Sequence, residues 1–276
     1  MYFFDSLKDL IIKKGLKEID EYTLAFSTRF FALFLFFPFL LIYKIPEIKQ
    51  EFWLALFVSG SINILTTILY IKALKYSELS LAKPITTFTP LFLLITSPLI
   101  VGEMPSFLGF CGVILIVLGA YILNIKQIKE NFLAPIKALF KEKGVKLMFI
   151  VAFLWSISSN FDKIGVTSSS PIFWIFSIHL FISICLFPFA YTKVFRNGLK
   201  KSVKIIIPLG FISGISLLCQ MIALKLTLVV YVISIKRMSS VISVIFGYLF
   251  LNEKNIKERL LGALIMVIGA VCIVFS

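Results

Sequence analysis

Lys236 and Arg237 are adjacent cations inside an apolar stretch that runs from Leu228 to Leu251. Eight residues of helix rise about 12 Å, which puts the pair near the middle of a hydrocarbon core about 30 Å thick. Each charge costs about 2.5–3.5 kcal/mol there on insertion scales, so the pair is expected to face a polar cavity or a counter-charge and to clamp an anion or carboxylate. The competing reading starts the helix later and lets both side chains snorkel to the interface, but it leaves only about fifteen residues to reach Leu251. Arg29 and His179 sit about seven residues into two other apolar stretches, and His179 is the single histidine. Imidazole titrates in the range that proton coupling uses, which makes the two positions coupling candidates. The plainer alternatives are an interhelical hydrogen bond for His179 and snorkelling toward Asp20 and Glu21 for Arg29. Asn63, Thr66 and Tyr70 follow i, i+3, i+7 spacing on one helical face, while Trp155, Ser156 and Asn160 share another. Such stripes either line a solute cavity or join helices through hydrogen bonds worth about 0.6 kcal/mol each.

The stretches that position these residues are membrane spans. Of 276 residues, 59% are hydrophobic and 15% charged, with a mean hydropathy of +1.01. A soluble domain carries about 45–50% apolar and about 25% charged residues, so a soluble enzyme with an ordinary core is excluded. Apolar runs bounded by charge or by Gly and Pro occur at 22–43, 52–74, 79–101 and 106–124, then at 146–162, 171–192, 204–225, 228–251 and 260–275. At about 20 residues per span they leave no room for a soluble domain, and without period-2 alternation they are helices rather than barrel strands. An all-α integral membrane protein is expected, multi-pass in the cell membrane. Cys111, Cys185, Cys219 and Cys272 lie within apolar runs without metal-ligand or CxxC spacing and read as small hydrophobes. Of the 28 Lys and Arg against 14 Asp and Glu, most of the basic residues fall in connectors, where they set orientation and imply no nucleic acid. The N-terminus mixes acidic and basic residues and does not resemble a cleavable signal peptide.

Comparing residue n with residue n+150 aligns the halves from about Phe3 to Leu123 without a gap. Lys13/Lys163, Gly15/Gly165, Pro38/Pro188, Gly60/Gly210, Glu103/Glu253, Gly112/Gly262 and Gly119/Gly269 are identities that apolar composition does not produce by chance. They imply an internal duplication, with 1–124 as the first repeat, 125–145 as a basic connector and 146–276 as the second repeat. Arg29 and His179 are counterparts in this register, as are Tyr70 and Gln220. Met1 to Gly15 then reads as a shortened first helix, or as an amphipathic helix at the interface. Five helices per copy give nine to ten transmembrane helices as two inverted five-helix repeats, because an odd number of crossings returns the chain from the opposite side. Gly210 with Gly214 and the paired glycines are expected at helix contacts. Glu103 and Glu253 are expected to cap helix ends or pair with Lys254, and Pro84, whose counterpart is Ser234, to mark a broken helix end.

The segments PITTFTPLFLLITSPLIVGEMPSFLGFCGVILIVLGAYIL and YVISIKRMSSVISVIFGYLFLNEKNIKERLLGALIMVIGAVCIVF each place an acidic residue at the end of one helix, then a short polar turn, then a helix opened by Gly and closed by Gly-Ala. This hairpin resembles the fourth-to-fifth helix hairpin of the EamA family in the drug/metabolite transporter superfamily, and the resemblance covers essentially the whole chain. It implies a ten-helix secondary transporter of small metabolites, often an exporter, with a cavity between the repeats. The short first helix departs from that pattern. Substrate contacts are expected from Asn63, Thr66, Tyr70, Trp155, Ser156, Asn160, Gln220, Lys236 and Arg237, with no catalytic residue, metal or cofactor. The expected partners are a small-molecule substrate and membrane lipid, with a second copy in a homodimer left open. Two other readings are an intramembrane enzyme or flippase acting on lipid-linked substrates, and a non-transporting subunit of a membrane complex. Neither HExxH nor a paired-aspartate motif supports the enzyme, and no P-loop supports ATP drive.

Overall fold

In the computed structural model the described residues are 19–42, 45–77, 85–125, 141–196, 199–239 and 256–276, with 4, 7, 8, 11, 12, 15, 16, 82 and 241 besides. They form nine helices: α1 (Glu21–Ile42), α2 (Glu51–Tyr76), α3 (Phe88–Ile100), α4 (Phe107–Ile125), α5 (Lys143–Thr167), α6 (Pro171–Arg196), α7 (Leu199–Leu226), α8 (Val229–Lys236) and α9 (Ile256–Val274). Among the described residues there is no strand. Five helices, α1, α2, α5, α6 and α7, contain stretches long and apolar enough to cross a membrane. The core is apolar, with Trp174, Phe36 and Phe52 fully buried, but large apolar side chains also cover the outside and polar ones enter the interior. Phe34, Phe37, Phe57, Leu99 and Val267 are exposed, while Ser59, Thr66, Asn160, Asp162 and His179 are buried. Lipid is the solvent for the apolar faces, and polar groups turn inward to find one another.

The chain divides into two compact units, each drawing on both halves of the sequence. The first comprises Phe3–Lys72 and Ser158–Leu226. Here α1 packs against α6 and α7. The first contact runs antiparallel: Tyr22 stacks with Phe189 at 6.2 Å, Phe26 meets Phe187 at 5.9 Å, and Phe36 meets His179 at 5.8 Å. Against α7, a Cβ on Gly210 would lie 2.3 Å from the Cβ of Phe31, and one on Gly214 would lie 3.2 Å from that of Ala32. These glycines therefore let the two backbones approach, as expected of them.

The second unit comprises Ala73–Ile157 and Thr227–Ser276. Its most extensive contact joins α4 to α9. A Cβ on Gly112 would lie 2.6 Å from the Gly269 carbonyl oxygen, and one on Gly119 would lie 2.6 Å from that of Gly262. Rising numbers on one helix meet falling numbers on the other, so this contact is antiparallel too. The hairpin between α3 and α4 turns at Gly102, whose φ of 73° needs glycine. Glu103 from that hairpin accepts from the Val229 N–H at 2.8 Å, satisfying a backbone donor that α8 itself leaves open. Tyr231 in α8 accepts from the Ser106 N–H at 3.2 Å, and a Cβ on Gly109 would lie 1.8 Å from its hydroxyl.

Two expected spans are not continuous. The run 79–101 turns at Thr86 and Thr87 before α3 begins, with Thr89 N–H on the Thr86 carbonyl at 3.2 Å. The run 228–251 leaves α-helix after Lys236, where Arg237 and Met238 donate to Ser234 and Ile235, both at 2.9 Å. These i to i−3 bonds tighten the backbone and end the α-helical register. Pro84, Glu253, Lys254 and residues 126–140 of the basic connector lie outside the described residues.

Candidate functional site

In the first unit, α2 places Ser59, Asn63 and Thr67 at i, i+4 and i+8, and the end of α5 places Ser158 and Asp162 one turn apart. The Asn63 amide donates to Ser158 Oγ at 2.7 Å and to Ser59 Oγ at 3.1 Å, and Ser59 Oγ donates to Asp162 Oδ1 at 2.6 Å. From α1, Arg29 Nη2 donates to Thr67 Oγ1 at 3.0 Å, which in turn donates to the Asn63 carbonyl at 2.6 Å. Two hydrogen-bonded segments that share Asn63, one ending on its backbone carbonyl and one starting from its side-chain amide, thus lie between a guanidinium and a carboxylate. Arg29 lies within electrostatic reach of both Asp162 and His179. His179 is 1% exposed, and its Nδ1 is 2.9 Å from the Ile175 carbonyl. A carbonyl only accepts, so Nδ1 carries the hydrogen and Nε2 is left buried without a partner.

The expected stripe of Asn63, Thr66 and Tyr70 is buried or half-buried, but the residues that join helices are Ser59, Asn63 and Thr67. Thr66 contacts only its own helix in this network, donating to the Asn63 carbonyl at 3.3 Å. Asn160 and Gln220 are buried in the same unit. Trp155 and Ser156 belong instead to the second unit, and the Ser156 hydroxyl donates to the Phe153 carbonyl at 2.7 Å. The expected face of Trp155, Ser156 and Asn160 is therefore divided between the units. Asp162, Ser59, Thr67 and Ser158 were not expected; the signal for them was the i, i+4 spacing of Ser158 with Asp162 and of Ser59 with Asn63.

In the second unit, α8 begins at Val229, so Lys236 is its eighth and last residue, as counted from the sequence. Lys236 and Arg237 are half-buried, and Arg237 Nη1 donates to Thr86 Oγ1 at 3.2 Å. This bond joins the two helix interruptions, at Thr86–Thr87 and Arg237–Met238, which stand within one residue of the 150-residue offset. The negative end of the α8 dipole also favours cations at this place.

The sequence model of the EamA-like transporter family matches residues 3–125 and again 142–275. A protein of Archaeoglobus fulgidus described as an uncharacterized transporter is 24% identical over 267 residues, covering 94% of this chain and 89% of its own. A solved crystal structure shares the fold with a TM-score of 0.71 at 14% identity, covering 98% of this chain and 94% of the other. Matched in two segments that together take in nearly its whole length, this multi-pass membrane chain belongs to the EamA-like transporter family.

Proposed function

We propose that the protein is a secondary transporter of the cell membrane, not an enzyme, and that it moves a small polar or anionic metabolite by alternating access. The observation that carries this reading is the pair of interrupted helices joined by Arg237 and Thr86. A helix broken inside a membrane leaves backbone polar groups that a protein tolerates where a cavity or a solute satisfies them. Lys236 and Arg237 stand at one of the two breaks. Cations there suit a carboxylate or another anionic group of the solute, and the Thr86 hydroxyl adds a neutral donor. The antiparallel contacts of α1 with α6 and of α4 with α9 support the reading of 1–124 and 146–276 as inverted repeats, since each pair consists of counterparts at the 150-residue offset. In the first unit Asn63, Thr66, Tyr70, Asn160 and Gln220 are the proposed solute contacts, and in the second Trp155 and Ser156 join the basic pair.

Purified protein reconstituted alone in liposomes and offered a panel of labelled small anions tests the reading. Solute flux that weakens at least tenfold in Lys236→Gln or Arg237→Gln, with protein yield retained, is the expected result. Lipid turnover in place of flux would establish an enzyme, and neither activity would leave a subunit of a larger complex. Unaltered kinetics in both variants would remove the basic pair from the solute site.

A further inference from the structure

Asp162 is 5% exposed and is the only acidic residue among the described residues that stands in a helix beyond its first turn. An ionisable group at such a place marks a functional site by default. Two runs of donors meet at Asn63: Arg29 donates to Thr67 and Thr67 to the Asn63 backbone carbonyl, while the Asn63 side-chain amide donates to Ser59 and Ser158 and Ser59 donates to the Asp162 carboxylate. Two features distinguish this from a static brace. The network holds either form of the acid. Ionised, Asp162 accepts from Ser59 Oγ at 2.6 Å; protonated, it donates to that oxygen, whose hydrogen swings to Ser158 Oγ at 3.4 Å. The basic end also offers more than the network uses. Arg29 Nε is buried without an acceptor, and the partnerless Nε2 of His179 lies within the field of the same guanidinium.

We propose that Asp162 is a proton-binding site and Arg29 the cation it balances, so that proton uptake on Asp162 releases Arg29 to take a small anion such as a carboxylate. The charges balance: a carboxylate and a guanidinium become a neutral acid, a guanidinium and one bound anion, so a proton and a negative charge enter together. Among the described residues, Arg29 from α1 lies within electrostatic reach of Asp162 and His179 from α6 within reach of Arg29, with Lys163 adjacent to Asp162 in its own helix; Ser59 and Asn63 of α2 contribute neutral donors. The inference rests on the transport reading above and supplies its coupling ion.

Infrared difference spectroscopy of the purified protein, acidified in buffer alone, takes the proton itself as the probe. Acidification is expected to raise the carbonyl band of a protonated carboxyl group. That band is lost in Asp162→Asn, shifted in frequency in Asp162→Glu and Ser59→Ala, and moved to a different pH in Arg29→Gln. No such band in the wild-type protein, or a band that Asp162→Asn and Asp162→Glu both leave unchanged, overturns the site. An identical titration in Arg29→Gln overturns its link to the cation. The readout needs no solute flux, so the two readings fail separately. A titrating Asp162 in a protein that moves no solute sinks transport alone, and flux with no Asp162 band sinks the proton site alone.

Discussion

Alanine at Gly112 or Gly119 gives a direct measure of the α4–α9 contact. The new Cβ would lie 2.6 Å from the Gly269 oxygen in the first case and 2.6 Å from the Gly262 oxygen in the second. Ordinary contact begins near 3.4 Å, and a backbone oxygen inside a helix cannot swing aside, so the helices must part by about 0.8 Å. A gap of about 0.5–1 Å forfeits a quarter to a half of the dispersion energy between facing atoms. With no hydrophobic force to hold helices together in lipid, that packing is most of what joins them. Each substitution is expected to destabilise by about 1–3 kcal/mol, which lowers the unfolding temperature by about 2–4 °C per kcal/mol for a chain of this size. The double variant is expected to cost less than the sum, because one separation relieves both clashes. Gly102→Ala is the control. It meets no atom within 4 Å and is strained only by its φ of 73°, so its cost of about 1 kcal/mol should add fully to that of Gly112→Ala. The assay is thermal unfolding in detergent followed by size-exclusion fluorescence. Single variants as stable as wild type, or a double variant that costs the full sum, would refute the close antiparallel contact.

Glu103→Ala removes the acceptor from the Val229 N–H; a loss of about 0.5–2 kcal/mol is expected, read by the same thermal assay, with no loss pointing to water as an adequate substitute. Cysteine labelling after residue 43 and after residue 192 should report opposite faces of the membrane, and the same face at both would mean that the halves run parallel. For orientation, Lys72, Lys75, the lysines of 125–145 and those near 193–204 fall on one side, so the positive-inside bias puts that side in the cytoplasm. An alkaline-phosphatase fusion at the C-terminus should then be active and a green-fluorescent-protein fusion dark, and the reverse result would overturn the charge argument. Because each compact unit draws on both halves, 1–124 and 146–276 expressed separately should each fail to give a monodisperse protein, and co-expression should restore it.

Hydropathy alone set out most of the helices, since a run of about 20 apolar residues has one stable form in lipid. Helix ends were less legible: α5 runs from Lys143 to Thr167 and α7 from Leu199 to Leu226, both past the apolar runs that marked them. Backbone hydrogen bonding continues through Lys and Ser where water is within reach, and hydropathy does not record it. The interruptions at Thr86–Thr87 and after Lys236 lie two or three residues beyond Pro84 and its counterpart Ser234, where a broken helix end was expected, but hydropathy alone runs through both turns because the stretches that hold them are apolar. Asp162 stands at the very end of the apolar run 146–162, next to Lys163, and the sequence alone does not show which way it faces. Only the positions of Ser59 and Asn63 on another helix show that it faces inward. Arg29 and His179 were legible as counterparts, and the structure places both in the first unit, where Arg29 has the wider network.

Packing and charge follow the 150-residue offset differently. Glycines at 112 and 262, 119 and 269, and prolines at 38 and 188, are the same in both halves. Four charged residues inside the helices are not: Arg29 faces His179 in the register, Asp162 faces Ile12, and Lys236 and Arg237 face Thr86 and Thr87, whereas Lys75 and Lys225, in the last turns of α2 and α7, are the same. A repeated contact such as Gly112 on Gly269 stabilises the fold wherever it recurs, so both copies keep it. A repeated charge does the reverse. Arg237 donates to Thr86 across the two interruptions, and a second arginine at Thr87 would bring like cations to the same place, at a cost that grows as water is excluded. Neutral hydroxyls there can serve the cation and still be satisfied by backbone carbonyls when it moves away. Charge at helix ends is retained in both halves, as at Lys75 and Lys225 and at Glu103 and Glu253, whereas the inner charges Arg29, Asp162, Lys236 and Arg237 are unmatched, and it is on these unmatched positions that the proposed contacts with solute and proton rest.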